Sequence, residues 1–212
     1  MLKVALSHDI DRVSKSHQYI TKTTAHLIKL NGKGFLNQIK SIGVKKPYWT
    51  FDQFIEIENR FNIRSTVFFL NESIKLNPLS LNSYKLSMGR YNIHEPKIEE
   101  MIRQLDRNGW EIGVHGSYNS FNDINLLKEE KRTLENIVGH QINGIRQHYL
   151  NLNDKTWQIQ ADAGFKYDSS WGSTNDVGFK DNRYLPFHPF NNQFKVIPLT
   201  LMDTCFMAKP DK

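Results

Sequence analysis

Short β-type apolar runs alternate with helix-type apolar stripes along this chain, and that alternation limits the folds open to it more than any other feature. The segments 2–6, 65–70, 110–115, 142–149, 165–170 and 194–201 are rich in β-branched, aromatic and aliphatic residues and read as strands. Between them, Phe51, Phe54, Ile55, Ile57 and Phe61 fall at helical spacing. A second helix is expected over 97–108, with Ile98, Met101, Ile102 and Leu105 on one stripe and Gly109 as its stop. A third is expected over about 125–138, and a fourth, capped by Asp154, ends at Gly164. Residues 71–96 read as a long polar loop. Strict alternation of this kind implies a parallel sheet, either a barrel or a doubly wound sheet.

A length of 212 residues and a hydrophobic content of 39% suit one domain with one sizeable core. No run reaches membrane-spanning length, and the start lacks the charged-then-apolar pattern of a secretory leader, so a cytoplasmic location is expected. The lone Cys205 excludes an internal disulfide or a cysteine-rich metal site. The net charge of +6 is unevenly placed. No acidic residue lies between Asp11 and Asp52, whereas Arg12, Lys15, Lys22, Lys29, Lys33, Lys40, Lys45 and Lys46 do. This basic insertion, at about 14–48, reads either as a solvated, partly helical segment or as a cationic flap for a membrane surface or an anionic glycan. No nucleic-acid-binding module is recognisable, so no nucleic-acid partner is expected.

Polar residues gather where the strands end. The first run leads into Ser7-His8-Asp9-Ile10-Asp11, whose two carboxylates, two residues apart on a strand, share one face. A buried carboxylate pair is unfavourable unless a cation neutralises it. An Asx-rich turn is the plainer alternative. The third run ends in His115-Gly-Ser-Tyr-Asn-Ser120, and the fourth carries Arg146-Gln-His-Tyr149. The fifth carries Tyr167-Asp-Ser-Ser170, and the last ends in Asp203. Singly, His115 suits a hydrogen-bonded core histidine and Arg146 a structural ion pair. Five strands bringing such groups to the same end point instead to the mouth of a parallel α/β barrel, where catalytic groups from different strands meet.

The segments Leu6-Ser-His-Asp-Ile-Asp11, Glu111-Ile-Gly-Val-His-Gly-Ser117, Gly144-Ile-Arg-Gln-His-Tyr149, Gly164-Phe-Lys-Tyr-Asp-Ser-Ser170 and Pro198-Leu-Thr-Leu-Met-Asp203 together resemble the polysaccharide deacetylase family. This is the NodB-homology, or carbohydrate esterase 4, group, and the likeness is to its Asp-x-Asp branch. The resemblance implies an α/β fold, a distorted (β/α) barrel, here incomplete at about six strands. It implies a divalent metal, commonly zinc, with cobalt, nickel or manganese as alternatives. It also implies hydrolysis of an N-acetyl or O-acetyl group on a polysaccharide, peptidoglycan or sugar-lipid. By the same resemblance Asp9 is the general base, Arg146 holds it, and Asp11 and His115 are metal ligands. The Tyr149 N–H completes an oxyanion site, while Ser117, Asp168 and Asp203 line the sugar pocket, a purely structural role being the equal alternative for Asp168 and Asp203.

Two departures from the family pattern stand out. The second metal histidine should fall four residues after His115, where Asn119 stands, and Asn is a poor zinc ligand beside imidazole. His148, two residues after Arg146 and on the same face of a regular strand, is the other candidate for the third ligand. The family also closes with a helix and a strand carrying Leu-x-x-His, whose histidine protonates the leaving amine. Only nine residues follow Asp203, too few for both elements. His188 is a candidate stand-in. The alternative to a deacetylase is a catalytically impaired relative that binds glycan without hydrolysing it.

Overall fold

The computed structural model describes residues 4–14, 49–75, 77, 79–80, 83, 86–87, 89–190 and 193–207. The expected basic insertion lies outside these residues except for Ser14. Six strands form one sheet in the order of the chain: β1 (Ser7–Ile10), β2 (Thr66–Leu70), β3 (Glu111–Gly116), β4 (Gly144–Gln147), β5 (Tyr167–Asp168) and β6 (Lys195–Val196). Every neighbouring pair is parallel. A doubly wound sheet would reverse its order partway. The unbroken order is that of a barrel, open between β1 and β6 among the described residues.

The connecting helices are α1 (Phe51–Phe61), α2 (Pro96–Arg107), α3 (Ile124–Val138) and α4 (Thr156–Asp162), followed by the single turn α5 (Thr204–Met207). Their ends have local causes. Pro96 opens α2 at a position where its missing N–H is harmless, and Gly109, at φ +89°, takes the chain out of it. The Asp123 carboxylate accepts from Asn125 and Leu126 N–H at the start of α3, and left-handed Gly139 closes it. The expected cap Asp154 is corrected: α4 begins later, and the Asn153 carboxamide accepts from the Lys155 N–H at 2.8 Å. The first strand also lies later than expected. Pairing starts at Ser7 opposite Thr66, leaving Val4 and Leu6 exposed.

Alternation along the strands sorts side chains onto two faces. Val67, Phe69, Ile112, Val114, Ile145 and Val196 pack with Ile98, Ile102 and Leu105 of α2 and with Leu127 and Leu134 of α3. Each such fully buried side chain contributes about 1.5–3 kcal/mol. The opposite face carries Phe68, Leu70 and Gly113, together with His115 and Arg146. Among the described residues, no helix is long and apolar enough to cross a membrane.

Candidate metal centre

Register brings the polar strand ends into one row. Leu70 pairs with His115 and His115 with Arg146, while Asp11 follows Ile10, the partner of Phe69. Strand β4 stops at Gln147, and a 3₁₀ turn over His148–Leu150 carries His148 back into the row. The result is a compact trio. His115 Nε2 lies 3.2 Å from Asp11 Oδ1, and His148 Nε2 lies 3.6 Å from the same oxygen. One ligand atom from each of Asp11, His115 and His148 lies within 4.8 Å of the others.

Donor chemistry tests whether this trio fits a cation. His115 Nδ1 is 2.8 Å from the Arg146 carbonyl oxygen, which can only accept, so Nδ1 carries a proton. In the neutral ring the Nε2 lone pair then faces Asp11 Oδ1, itself buried without a hydrogen bond. Two acceptors facing each other need a positive charge between them, either a second proton on the imidazole or a bound cation. Bonds of about 2.1 Å to a tetrahedral zinc would place ligand atoms about 3.4 Å apart, close to the two separations above. An Asp/His/His set therefore fits zinc or a comparable divalent ion. Histidine ligands usually donate their second nitrogen to a carbonyl or carboxylate, as His115 does here.

The electrostatics agree with this reading. Burial opposes the charged form of Asp11, but pairing with His115 and the nearby Arg90 guanidinium hold its carboxyl well below the usual range. Burial pushes the His148 imidazole down to about 3, against the pull of Asp11 and with the repulsion of His115, Arg90 and Arg12. His148 therefore offers a neutral ring at pH 7. Burial also works against a charged His115, but the carboxylates of Asp9 and Asp11 raise it on balance.

Beside the trio, Arg146 Nη1 donates to Asp9 Oδ1 at 2.8 Å. The guanidinium is fixed from behind by the Ser169 carbonyl at 3.0 Å and the Ser169 hydroxyl at 2.9 Å. It also lies over the Phe68 ring, 4.6 Å from its centroid. Gly113 makes room for that ring, since a Cβ at this position would lie 2.5 Å from Phe68 Cδ1.

Asp9, Asp11, His115, Arg146 and His148 thus converge, and the remaining expected residues sort differently. Asn119 is exposed ahead of the 3₁₀ turn Ser120–Asn122, and the row holds His148 instead. Tyr149, at φ +58°, sets its ring 4.2 Å from that of His148 and 5.9 Å from that of Tyr118. It also borders an open cleft of about 610 Å³ lined by Leu150, Gly172, Thr174, Asp176 and Phe179. The three other residues expected to line the sugar pocket are placed as follows. Ser117 is buried, with its N–H directed to Glu130 of α3. Asp168 pairs with Ile145, whose side chain faces the helices, and is fully buried against Trp157 and Gln160 of α4. Asp203 sits exposed just before α5. His188 Nδ1 lies 2.9 Å from the Phe194 carbonyl oxygen, within the antiparallel bridge of Phe187 and Val196.

Two neighbours of the trio were not foreseen. Arg90 Nη1 donates to the Asp11 carbonyl at 3.1 Å, and Arg90 Nη2 lies 3.3 Å from His148 Nε2. Glu72, two residues beyond β2, has a buried side chain, with Oε2 3.9 Å from His148 Nδ1. Glu72 was findable, because the same strand-end logic applied to β2 reaches it. Arg90 lies in a loop with no periodicity to mark it.

No protein-family model matches the chain, and no curated protein matches it significantly. Solved structures do. A protein from Mycobacterium smegmatis, provisionally classed as a polysaccharide deacetylase, superposes with a TM-score of 0.52 at 20% identity, covering 92% of this chain and 57% of that one. PuuE allantoinase gives 0.48 at 19% identity, over 75% and 48% of the two chains. A protein from Pseudomonas aeruginosa PAO1, also provisionally classed as a polysaccharide deacetylase, gives 0.47 at 20% identity, over 74% and 46%. This chain spans little more than half the length of the first. At 20% identity the likeness to the first shows the fold alone: an open, six-stranded form of the polysaccharide deacetylase barrel.

Proposed function

We propose that this chain is a divalent-metal-dependent hydrolase that removes an N-acetyl or O-acetyl group from a sugar polymer or sugar-lipid. The observation that carries the reading is the placing of Asp9, clamped by Arg146, beside the Asp11, His115 and His148 trio. The trio would hold the ion, zinc first by its donor set, with cobalt, nickel or manganese as alternatives. Bound there, the metal supplies a Lewis acid for the acetyl carbonyl and lowers the pKa of water.

The rest falls to side chains of this protein. Arg146 donates to Asp9 Oδ1, which orients the carboxylate. Asp9 then takes the proton of the attacking water as general base. The Tyr149 N–H is the candidate donor to the oxyanion. The cleft beyond Tyr149 receives the sugar carrying the acetyl group. A complete trio, with His148 in place of a second motif histidine, favours hydrolysis over glycan binding alone.

The test is acetate release from N-acetylated oligosaccharides and sugar-lipids in the presence of zinc, cobalt or nickel. Asp9→Asn is expected to lower the rate about 10²–10⁴-fold. Equal release by both proteins would remove Asp9 from the mechanism.

A further inference from the structure

His148 stands where the sequence pattern of related folds would not place a metal ligand, so something in this chain must aim its ring. The ring has two nitrogens with different surroundings. Nε2 lies 3.3 Å from Arg90 Nη2 and 3.6 Å from Asp11 Oδ1. A guanidinium can only donate, so in a neutral imidazole Nε2 is the acceptor and the proton sits on Nδ1. Nδ1 is buried and has no hydrogen-bond partner, and the charged group it faces is the Glu72 carboxylate at 3.9 Å.

Glu72 is well placed to hold that proton. Its side chain is 1% exposed, and it is fixed by backbone donors on two segments. Tyr118 N–H reaches Oε2 at 3.1 Å, and Ile74 N–H reaches Oε1 at 3.2 Å. The carboxylate therefore ties the end of β2 to the turn after β3, directly behind the ring of His148. Closing the gap to hydrogen-bond range, about 3 Å, needs a shift of only about 1 Å.

We infer that Glu72 is a positioning residue that fixes His148 in its Nδ1–H tautomer and so makes Nε2 the ligand atom. The inference rests on the metal-centre reading proposed above and supplies its missing partner. His115 is held by a backbone carbonyl and His148 by a carboxylate, the two usual outer partners of a metal-bound imidazole.

Nuclear magnetic resonance of the histidine ring nitrogens in isotope-labelled, metal-free protein tests the tautomer without any substitution. His148 is expected to carry its proton on Nδ1, and a proton on Nε2 overturns the inference. Zinc titration by calorimetry then compares wild type with Glu72→Gln, which keeps the side-chain shape and an acceptor oxygen. Affinity is expected to fall about 10–100-fold, with the His115 ring signals unmoved. Unchanged affinity overturns the inference. Asp11→Asn in the same titration separates the two levels of argument. If it binds zinc as wild type does, the metal centre itself is wrong, whereas loss in Asp11→Asn with none in Glu72→Gln removes Glu72 alone.

Discussion

Two aspartates on opposite faces of the sheet, Asp168 buried and Asp11 half-buried, make an instructive pair. Asp168, on the helix-facing side, receives the Ser170 hydroxyl at 2.6 Å, the Ser170 N–H at 2.9 Å, Gln160 Nε2 at 3.0 Å and Trp157 Nε1 at 3.3 Å. All four donors are neutral. Burial therefore dominates, and despite those bonds the carboxyl stays above its usual range. Asp11, at the mouth, has an inner oxygen without a hydrogen bond, yet imidazole and guanidinium groups hold it below that range. A buried carboxylate satisfied by neutral donors belongs to the architecture. One left unsatisfied among charged or lone-pair-bearing groups has the surroundings that suit a cation.

Substitution should separate the two aspartates, with the largest effect at the mouth. Asp11→Asn is expected to abolish zinc binding and reduce acetate release to background while leaving the melting temperature near wild type. Asp168→Ala is expected to do the reverse. Removing four accepted bonds strands buried donors on Trp157, Gln160 and Ser170, each worth about 1–3 kcal/mol, so a loss of about 3 kcal/mol or more is expected. For a chain of this size that is a fall in Tm of roughly 6–12 °C by calorimetry. Zinc affinity, measured by titration on the folded fraction, should not change. An Asp168→Ala protein that melts normally but no longer hydrolyses would reverse the assignment of the two aspartates.

This contrast also shows what could be read from sequence. Strand-end position was enough for Asp9, Asp11, His115 and Arg146, because parallel pairing in register converts chain order into spatial convergence. It left two roles open for Asp168, since strand-end position does not say which face a residue takes. The pairing of Tyr167 with Gly144 turns Asp168 inward, and only the register reveals that. Helix stripes gave α1 with the bounds observed, whereas the last two strands are two residues each where six and eight were expected. Pairing, more than apolar content, decides strand length. Arg90 reaches the trio from a loop, through contacts set by tertiary structure alone.

A smaller effect probes how Arg146 is held. Gly113→Ala would force the Phe68 ring from its seat under the guanidinium, a crowding worth typically 1–3 kcal/mol. Hydrolysis should fall by more than stability alone explains, because Arg146 then loses its alignment on Asp9, while zinc affinity stays within about twofold. A variant with full hydrolysis would show that Phe68 does not position the arginine.

The mildest test uses two buried glutamates that titrate in opposite senses. Burial opposes the charge of Glu58, but bonds from His8, Ser65 and Trp110 lower its carboxyl on balance. It binds fewer protons folded than unfolded over the acid range, so its contribution is present above the unfolded carboxylate range and is lost as pH falls. Glu130, behind β3, is pushed up by burial to about 8, against the bonds from Ser117 and Ser120. Folded protein then binds more protons at this site than unfolded protein between the ordinary glutamate value of 4.5 and about 8. Stability from Glu130 is therefore full below that window and declines across it. Thermal melts of wild type should show a drop in Tm from pH 5 to pH 8 that Glu130→Gln lessens, whereas Glu58→Gln should flatten the acid limb and leave the neutral limb alone. Parallel pH profiles for wild type and Glu130→Gln between pH 5 and 8 would mean that the carboxyl behind β3 is already ionised. The rule drawn from the two aspartates would then not extend to α3.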